Sequence, residues 1–298
     1  MPVTVPDLVA LDELAWLAAW AAHEARVDAW TQGRRARASS GVAHPVEDFL
    51  FTYYSHKPAQ LRRWHPGAGV VLLGSSADER AVWRWHSRVR VAGRDGVTLD
   101  VPAFVADRGE AVRRSLDLMR ATLERTPQLG CFGLHEWAMV HRLAPGQQRH
   151  ENWPLRLSQQ ATDDVVESQP LRCSHFDAFR FFTPMARPLN SEQPTRELQL
   201  QLEQPGCLHA TMDLYKVAYK LGPAIPSSLT ARCFVLARDV REIDMRASPY
   251  DLSSLGYQPV RVETAAGRAQ YVTAQREFTA RGQALRADLI EVCEHLLP

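Results

Sequence analysis

The segment from residue 171 to residue 184 combines ionisable and aromatic side chains at unusual density. It holds His175, Asp177 and Arg180 among four phenylalanines. If the segment is extended, His175 and Asp177 share one face, and they could supply two ligands of a two-histidine, one-carboxylate iron site. If it is helical, His175 aligns with Phe179 instead and the pair separates. A half-buried histidine with ordinary hydrogen bonds explains the same spacing.

His209 and Asp213 form a second candidate pair, within the segment 207–222. We predict that this segment is a helix that ends at Gly222. Residues four apart on a helix lie one turn apart on the same face. An imidazole and a carboxylate in that arrangement can bind a metal ion, or act as a base that its neighbour orients. A structural hydrogen bond within the helix is the alternative.

His135 and Glu136 are adjacent in a third segment, residues 133–143, which we predict to be helical. His141 follows His135 by six residues, so a regular helix cannot direct both imidazoles into one site. The spacing also differs from the H-E-x-x-H pattern of zinc proteases. His135 and Glu136 therefore remain candidates, and His141 is expected at the surface.

A fourth polar cluster occupies residues 241–252, with the sequence REIDMRASPYDL. It contains Asp244, Arg246, Tyr250 and Asp251 near an expected helix end. We interpret these side chains as a helix cap and an arginine–aspartate pair.

The hydrophobic pattern predicts a mainly α-helical protein with a few short strands, of the α+β class, built around a single compact helical core. We expect one domain over residues 1–298, with a helical N-terminal extension over roughly residues 1–40. Strands are expected at 69–74 and 97–105. Helices are expected at 14–36, at 109–126, at 207–222, at 227–245, at 265–297, and between Pro45 and Pro58.

The totals limit the class of protein. A formal net charge of +1 argues against a strongly electropositive surface. The five cysteines form no C-x-x-C pair and are expected to be reduced and buried. The first twenty residues lack the basic opening of a signal peptide, and no apolar run is long enough to cross a membrane. We therefore expect a cytoplasmic protein without a membrane partner.

Five motifs lie between roughly residues 40 and 280. They are FLFTYYSHKPAQLRRWHPG, GLHEWAMVHR, HFDAFRFFTPMARPLN, EQPGCLHATMDLYKVAYKL and DMRASPYDL. Together they resemble a bacterial family, common in actinobacteria, that carries the name 3-methyladenine DNA glycosylase. The motifs of the well-studied alkyl-base glycosylases, such as the helix-hairpin-helix, are absent from the chain.

The resemblance implies hydrolysis of the N-glycosidic bond to an alkylated purine in damaged DNA. Such an enzyme flips the base into a pocket and stacks it on aromatic rings, and a carboxylate acts near the sugar. The candidate catalytic carboxylates are Asp213, Asp177 and Glu136. The candidate substrate-binding residues are Trp137, Phe179, Arg180 and Tyr215.

A metalloenzyme that acts on a small molecule is the competing hypothesis. The ligands would come from His135, His175 and His209 with nearby carboxylates, and they would hold one or two ions of iron, manganese or zinc. A non-catalytic fold with structural buried polar residues is the third possibility. We expect the three histidines to converge on one pocket with Asp177 or Asp213, because aromatic segments rarely bury ionisable groups without a purpose.

Overall fold

The structure is a computed structural model that describes residues 8–38, 41, 43–144, 147 and 153–297. Helices predominate and the strands are short, so the expected mainly α, α+β fold class is confirmed. The strands are β1 (Val9–Leu11), β2 (Val70–Leu73), β3 (His86–Val91) and β4 (Arg94–Leu99). The α-helices are α1 (Glu13–Ala38), α2 (Phe49–Tyr53), α3 (Pro58–Arg62), α4 (Val101–Leu123), α5 (Leu134–Ala138), α6 (Gln159–Ser168), α7 (Phe176–Phe179), α8 (Gln199–Leu202), α9 (Leu208–Lys220), α10 (Ser227–Ala247) and α11 (Ala265–Leu296). Short 3-10 helices occupy Ser75–Val82, Arg187–Leu189 and Ser253–Leu255.

Helices α1, α9, α10 and α11 lie where the apolar spacing predicts them. The strand expected at 97–105 is wrong in its second half, since β4 ends at Leu99 and α4 begins at Val101. Asp100 explains the change, because its Oδ1 accepts a hydrogen bond of 2.9 Å from the Ala103 amide and so caps the helix. Pro102 suits the first helical turn.

Two expected helices are shorter than their patterns suggest. Between Pro45 and Pro58 only α2 is α-helical, and Pro58 is itself at the start of α3. The segment 133–143 contains only the five-residue α5, preceded by Gly133 in the left-handed conformation. His141 lies beyond α5 and is buried, with Nε2 3.0 Å from Glu167 Oε1, so the expectation of a surface residue is wrong.

The chain divides into two compact units. Unit 1 comprises residues 1–117, 215–234 and 287–298, and unit 2 comprises residues 118–214 and 235–286. The boundaries fall within α4, α9, α10 and α11 rather than in linkers. A single domain over residues 1–298 stays a prediction.

Unit 1 is built on the sheet, whose strand order is β1-β2-β4-β3. β1 pairs with β2 in parallel, and the other two pairings are antiparallel. The N-terminal segment, expected as a helical extension, carries β1 and inserts Trp16 of α1 into the core against Trp64 and Leu72. The segment is therefore an integral part of unit 1.

Unit 2 consists of α5 to α8 and parts of the longer helices. Its irregular segments are held by side chains that bond to the backbone. The side chain of Asn190 holds the backbone of Cys173, just before α7. Its Oδ1 accepts a hydrogen bond of 2.8 Å from the Cys173 amide, and its Nδ2 donates one of 2.9 Å to the Cys173 carbonyl. His175 follows Cys173 by two residues, so these bonds help to fix the backbone that carries His175. Over the described residues, none of the helices combines the length and apolar character that a membrane crossing requires.

Candidate metal centre

Three segments of unit 2 bring histidines together. His135 lies in α5, His209 lies in the first turn of α9, and His175 is the extended residue directly before α7. All three side chains are buried. The segment of residues 171–184 is thus neither a strand nor a long helix, and its histidine faces inward where the chain enters a short helical turn.

The imidazole rings of these residues form a contiguous row, which we call the histidine row (His135, His209, His175). The centroids of the His135 and His209 rings are 4.5 Å apart and the rings are nearly perpendicular, at 80°. Those of His175 and His209 are 5.2 Å apart, with only 23° between the ring planes. The expected convergence of the three histidines is therefore present, with His209 in the middle.

Asp244 of α10 closes one end of the row. Its Oδ1 lies 3.0 Å from His135 Nε2, and both side chains are almost inaccessible to solvent. Its other oxygen, Oδ2, lies 3.2 Å from Arg241 Nη1, which also donates a bond of 2.9 Å to Glu136 Oε1. Because Arg241 holds one oxygen of the carboxylate, the other is directed at the imidazole.

Two carboxylates lie at the opposite end. Asp213 Oδ2 is 3.5 Å from His175 Nε2, and Glu203 Oε2 is 3.9 Å from the same nitrogen. Glu203 is itself oriented by Gln199, whose Nε2 donates a bond of 2.8 Å to Oε2. Of the two carboxylates expected near the histidines, Asp213 reaches the row.

The pKa shifts of the three histidines alternate in direction along the row. Burial disfavours a charge on His135, but the Asp244 carboxylate outweighs it and raises the pKa of His135 well above its usual value. Burial, together with the charge of His135, lowers the pKa of His209 well below its usual value. Against the effect of burial, Asp213 raises the pKa of His175. His209 is accordingly neutral, which is the form that binds metal ions.

His135, His209 and Asp244 form a candidate set of metal ligands. Each offers one donor atom, and the three atoms lie within 4.8 Å of one another. Donors that share one ion at bond lengths of about 2.1 Å are separated by no more than about 4.2 Å. Small side-chain rotations therefore suffice to bring all three to one ion. Two imidazoles and one carboxylate are the donor set of non-haem iron sites with open positions.

A small cavity adjoins the row. Its lining includes His135, His209 and the thiols of Cys131, Cys173 and Cys207. Burial raises the pKa values of the Cys173 and Cys207 thiols, so both are protonated at neutral pH. The cavity has a volume of only about 10 Å³, which is room for about one water molecule, so a larger ligand would require the surrounding side chains to move.

The other sequence-predicted residues of unit 2 lie outside the row. Glu136 is buried and binds Arg241. Trp137 is fully buried, and its indole N–H donates a bond of 2.9 Å to the Ala247 carbonyl. Asp177 Oδ1 is 3.3 Å from Nε of Arg180, whose side chain is half exposed. Phe179 is buried against Phe182, with ring centroids 5.1 Å apart.

Tyr215, the remaining candidate for substrate binding, belongs to unit 1. Its ring is fully buried, and its hydroxyl oxygen lies 2.7 Å from His56 Nδ1. Burial raises the pKa of this hydroxyl, which therefore stays protonated. The substrate-binding roles expected for Trp137, Phe179, Arg180 and Tyr215 stay predictions.

Arg241 and Glu203 are site residues that the sequence did not single out, and Asp244 was interpreted from sequence only as part of a helix cap or an arginine–aspartate pair. The arginine–aspartate pair expected in residues 241–252 is present, but it is Arg241 with Asp244, and the carboxylate also faces His135. The i,i+3 spacing of Arg241 and Asp244 places both on one face of α10 and was the available signal. For Glu203 no local signal exists.

Comparisons of the chain with protein-family models, with curated proteins and with solved structures found no match. The resemblance to the 3-methyladenine DNA glycosylase family thus stays a prediction from the five motifs.

Proposed function

We propose that unit 2 binds a divalent transition-metal ion of the iron class through His135, His209 and Asp244, and that the protein is a metal-dependent enzyme acting on a small molecule. The observation that carries the proposal is the convergence of two imidazoles and one carboxylate, all buried, within 4.8 Å. The three residues come from three helices far apart in sequence. An arrangement of this kind is costly unless the charged groups are paired or hold an ion.

The surroundings of the donor set support a metal rather than a purely structural ion pair. Arg241 holds the outer oxygen of Asp244, as a second layer of hydrogen bonds does around metal ligands. His175 Nδ1 is buried and has no hydrogen-bond partner among the described residues. His141 Nδ1, outside the row, also has no partner among the described residues, so the Arg241 contact is the observation that supports a metal.

His175 and Asp213 would handle protons beside the ion. The imidazole stacks on His209 and faces the Asp213 carboxylate, so it could accept or donate a proton beside the proposed ion. A bound ion with open positions would polarise an oxygen atom of the substrate or activate water. The reaction class that fits is metal-assisted hydrolysis, with water as the second reactant.

A DNA glycosylase remains the function that the motif resemblance implies, with damaged DNA as its substrate. Its candidate carboxylate Asp213 does lie beside the histidine row, 3.5 Å from His175 Nε2. Its aromatic walls find less support, because Trp137 is enclosed in the core and Phe179 packs on a neighbouring ring. The geometry therefore favours metal-dependent chemistry on a small molecule.

A cytoplasmic location is part of the same proposal. All five cysteines are free thiols, and four of them are buried. Reduced, unpaired cysteines are typical of the cytosol.

Elemental analysis of the purified chain tests the proposal. We expect stoichiometric iron, manganese or zinc in the protein after anaerobic reconstitution, and loss of that metal in His209→Gln. His141→Gln is the matched control, since His141 is an equally buried histidine of unit 2 that pairs with Glu167. A wild-type protein that takes up no metal, or a His209→Gln protein that retains it, would overturn the proposal.

A further inference from the structure

A cleft in unit 1 has the size and lining of a second binding site. Its volume is about 500 Å³, within the range that small-molecule sites occupy. Aromatic side chains form part of its wall, among them Trp83, Trp85 and Tyr219. Residues of unit 1 alone line this cleft, which we call the unit 1 cleft.

Among the described residues that line the unit 1 cleft are arginines and histidines but no aspartate or glutamate. Burial lowers the pKa of His56 to about 4, and burial with the nearby charge of Arg80 lowers that of His65 to about 3. Burial also lowers the pKa values of His23 and His86. The histidines are therefore neutral near pH 7 and act as hydrogen-bonding groups, while the formal charge of the lining comes from arginine.

A buried positive charge lies directly behind the wall of the cleft. The Arg80 guanidinium is 4.7 Å from the ring centroid of Trp83, which lines the cleft, and it contacts three further tryptophans at 4.9 to 5.5 Å. Its Nη1 donates a bond of 2.9 Å to the Trp64 carbonyl. No carboxylate of the described residues pairs with Arg80, and its lowered pKa of about 10 leaves it charged at neutral pH.

Arg63 adds an accessible charge at the cleft itself. Its guanidinium lies 5.6 Å from the Trp83 ring centroid, and it forms no ion pair with any described residue. Arg84 differs, because it is paired with Asp107 at 2.5 Å while it stacks over Trp85. The cleft thus presents aromatic faces beside the unpaired Arg63 guanidinium. The Arg80 guanidinium lies behind these rings, without a carboxylate partner among the described residues.

We propose that the unit 1 cleft binds a small planar aromatic anion, a ring that carries a phosphate or a carboxylate. The ring stacks on the tryptophan faces, and the acidic group pairs with Arg63 in a charge-assisted hydrogen bond. The neutral histidines bond to polar atoms on the edge of the ring. The charge of Arg80, screened from water by tryptophans, attracts the anion from behind the wall.

Calorimetric titration of the full chain with four probes tests the proposal. AMP and 2-naphthoate combine a ring with a phosphate or a carboxylate, while adenosine offers the ring alone and inorganic phosphate the charge alone. We expect at least one aromatic anion to bind about tenfold or more tightly than adenosine and phosphate. Preference for AMP over 2-naphthoate would identify phosphate as the acidic group, and the reverse preference would identify carboxylate.

Variants separate the cleft from non-specific attraction. Arg63→Gln removes the unpaired charge from an exposed position and should weaken the preferred anion about tenfold or more. Arg90→Gln is the matched control, because Arg90 is an exposed arginine of β3 that pairs with Asp95. The Arg90→Gln protein should bind the preferred anion with the affinity of the wild type. Binding of both aromatic anions no tighter than that of adenosine, no binding of either aromatic anion at millimolar concentration, or unchanged affinity for the preferred anion in Arg63→Gln would overturn the proposal.

Discussion

His135 Nε2 lies 3.0 Å from Asp244 Oδ1, and both side chains are buried in unit 2. A proton shared by these two atoms and a metal ion bound by them are competing occupants, since a ligating histidine must be neutral. In the structure the pair is a buried ion pair, and under the proposed function the same two residues would be two of the three metal ligands. Arg241 holds the carboxylate in the structure, and we expect it to hold the same oxygen if a metal is bound.

Asp244→Asn should be strongly destabilising even in metal-free protein. The substitution leaves Arg241 and His135 buried without the carboxylate between them, which typically costs about 3–5 kcal/mol. Urea unfolding of the two metal-free proteins measures the difference. Asp95→Asn is the control, because Asp95 forms an exposed pair with Arg90 and should cost no more than about 1 kcal/mol. Equal costs at the two positions would show that the buried pair does not stabilise unit 2.

Asp213→Asn should spare the metal. Asp213 faces His175 rather than the donor set, so metal content should stay at the wild-type level. Loss of the carboxylate beside His175 should lower the free energy of unfolding by about 1–3 kcal/mol. Elemental analysis and urea unfolding on one preparation give both quantities. Metal loss in a stable Asp213→Asn protein would place Asp213 among the ligands instead.

Gly206→Ala should disturb the start of α9, which carries His209. A Cβ at Gly206 would lie 2.5 Å from the Gln128 carbonyl oxygen, so the backbone would have to shift. We expect a loss of about 1–3 kcal/mol in unfolding free energy. Gly130→Ala, whose added Cβ would meet only a side-chain atom of Arg172 at 3.4 Å, is the matched control in the same unit. Similar stabilities of both variants would refute the close packing at Gly206.

His65→Gln should reduce the loss of unfolding free energy that occurs as the pH is lowered below about 6.5. The pKa of His65 falls from the ordinary 6.5 to about 3 in the folded protein, so below pH 6.5 the unfolded chain binds a proton that the native state excludes. The free energy of unfolding then falls as the pH is lowered from about 6.5 toward 3. Urea unfolding at pH 7 and pH 5 should show a smaller loss for His65→Gln than for wild type. An identical loss in both proteins would mean that His65 titrates normally.

Much of the helical framework could be predicted because its signals are local. The helices α9, α10 and α11 follow from apolar spacing over two or more turns. β3 was not predicted, since its sequence HSRVRV places two arginines in a short edge strand of the sheet. The start of α4 was missed because the β-branched residues at 97–101 continue a strand pattern past Asp100, which caps the helix.

The three histidines and Asp213 could be found from sequence, but the contact of His135 with Asp244 could not. His135, His175 and His209 each lie in a segment that mixes aromatic and ionisable residues. Asp244 lies more than a hundred residues from His135, and its contact with Arg241 already accounts for its charge locally. Packing of α10 against the histidine row decides that Asp244 also reaches an imidazole, and one sequence does not encode that packing in any local pattern.

Titration of the metal-free protein with cobalt(II), followed by visible absorption, tests the metal site most directly. We predict saturation near one equivalent, ligand-field bands without the intense thiolate-to-cobalt band, and no uptake by His209→Gln. The absence of that band follows from a donor set of imidazole and carboxylate, with the Cys173 and Cys207 thiols protonated beside it. Wild-type spectra that do not change on addition of cobalt, or uptake that persists in His209→Gln, would contradict the assignment of the histidine row as a metal centre.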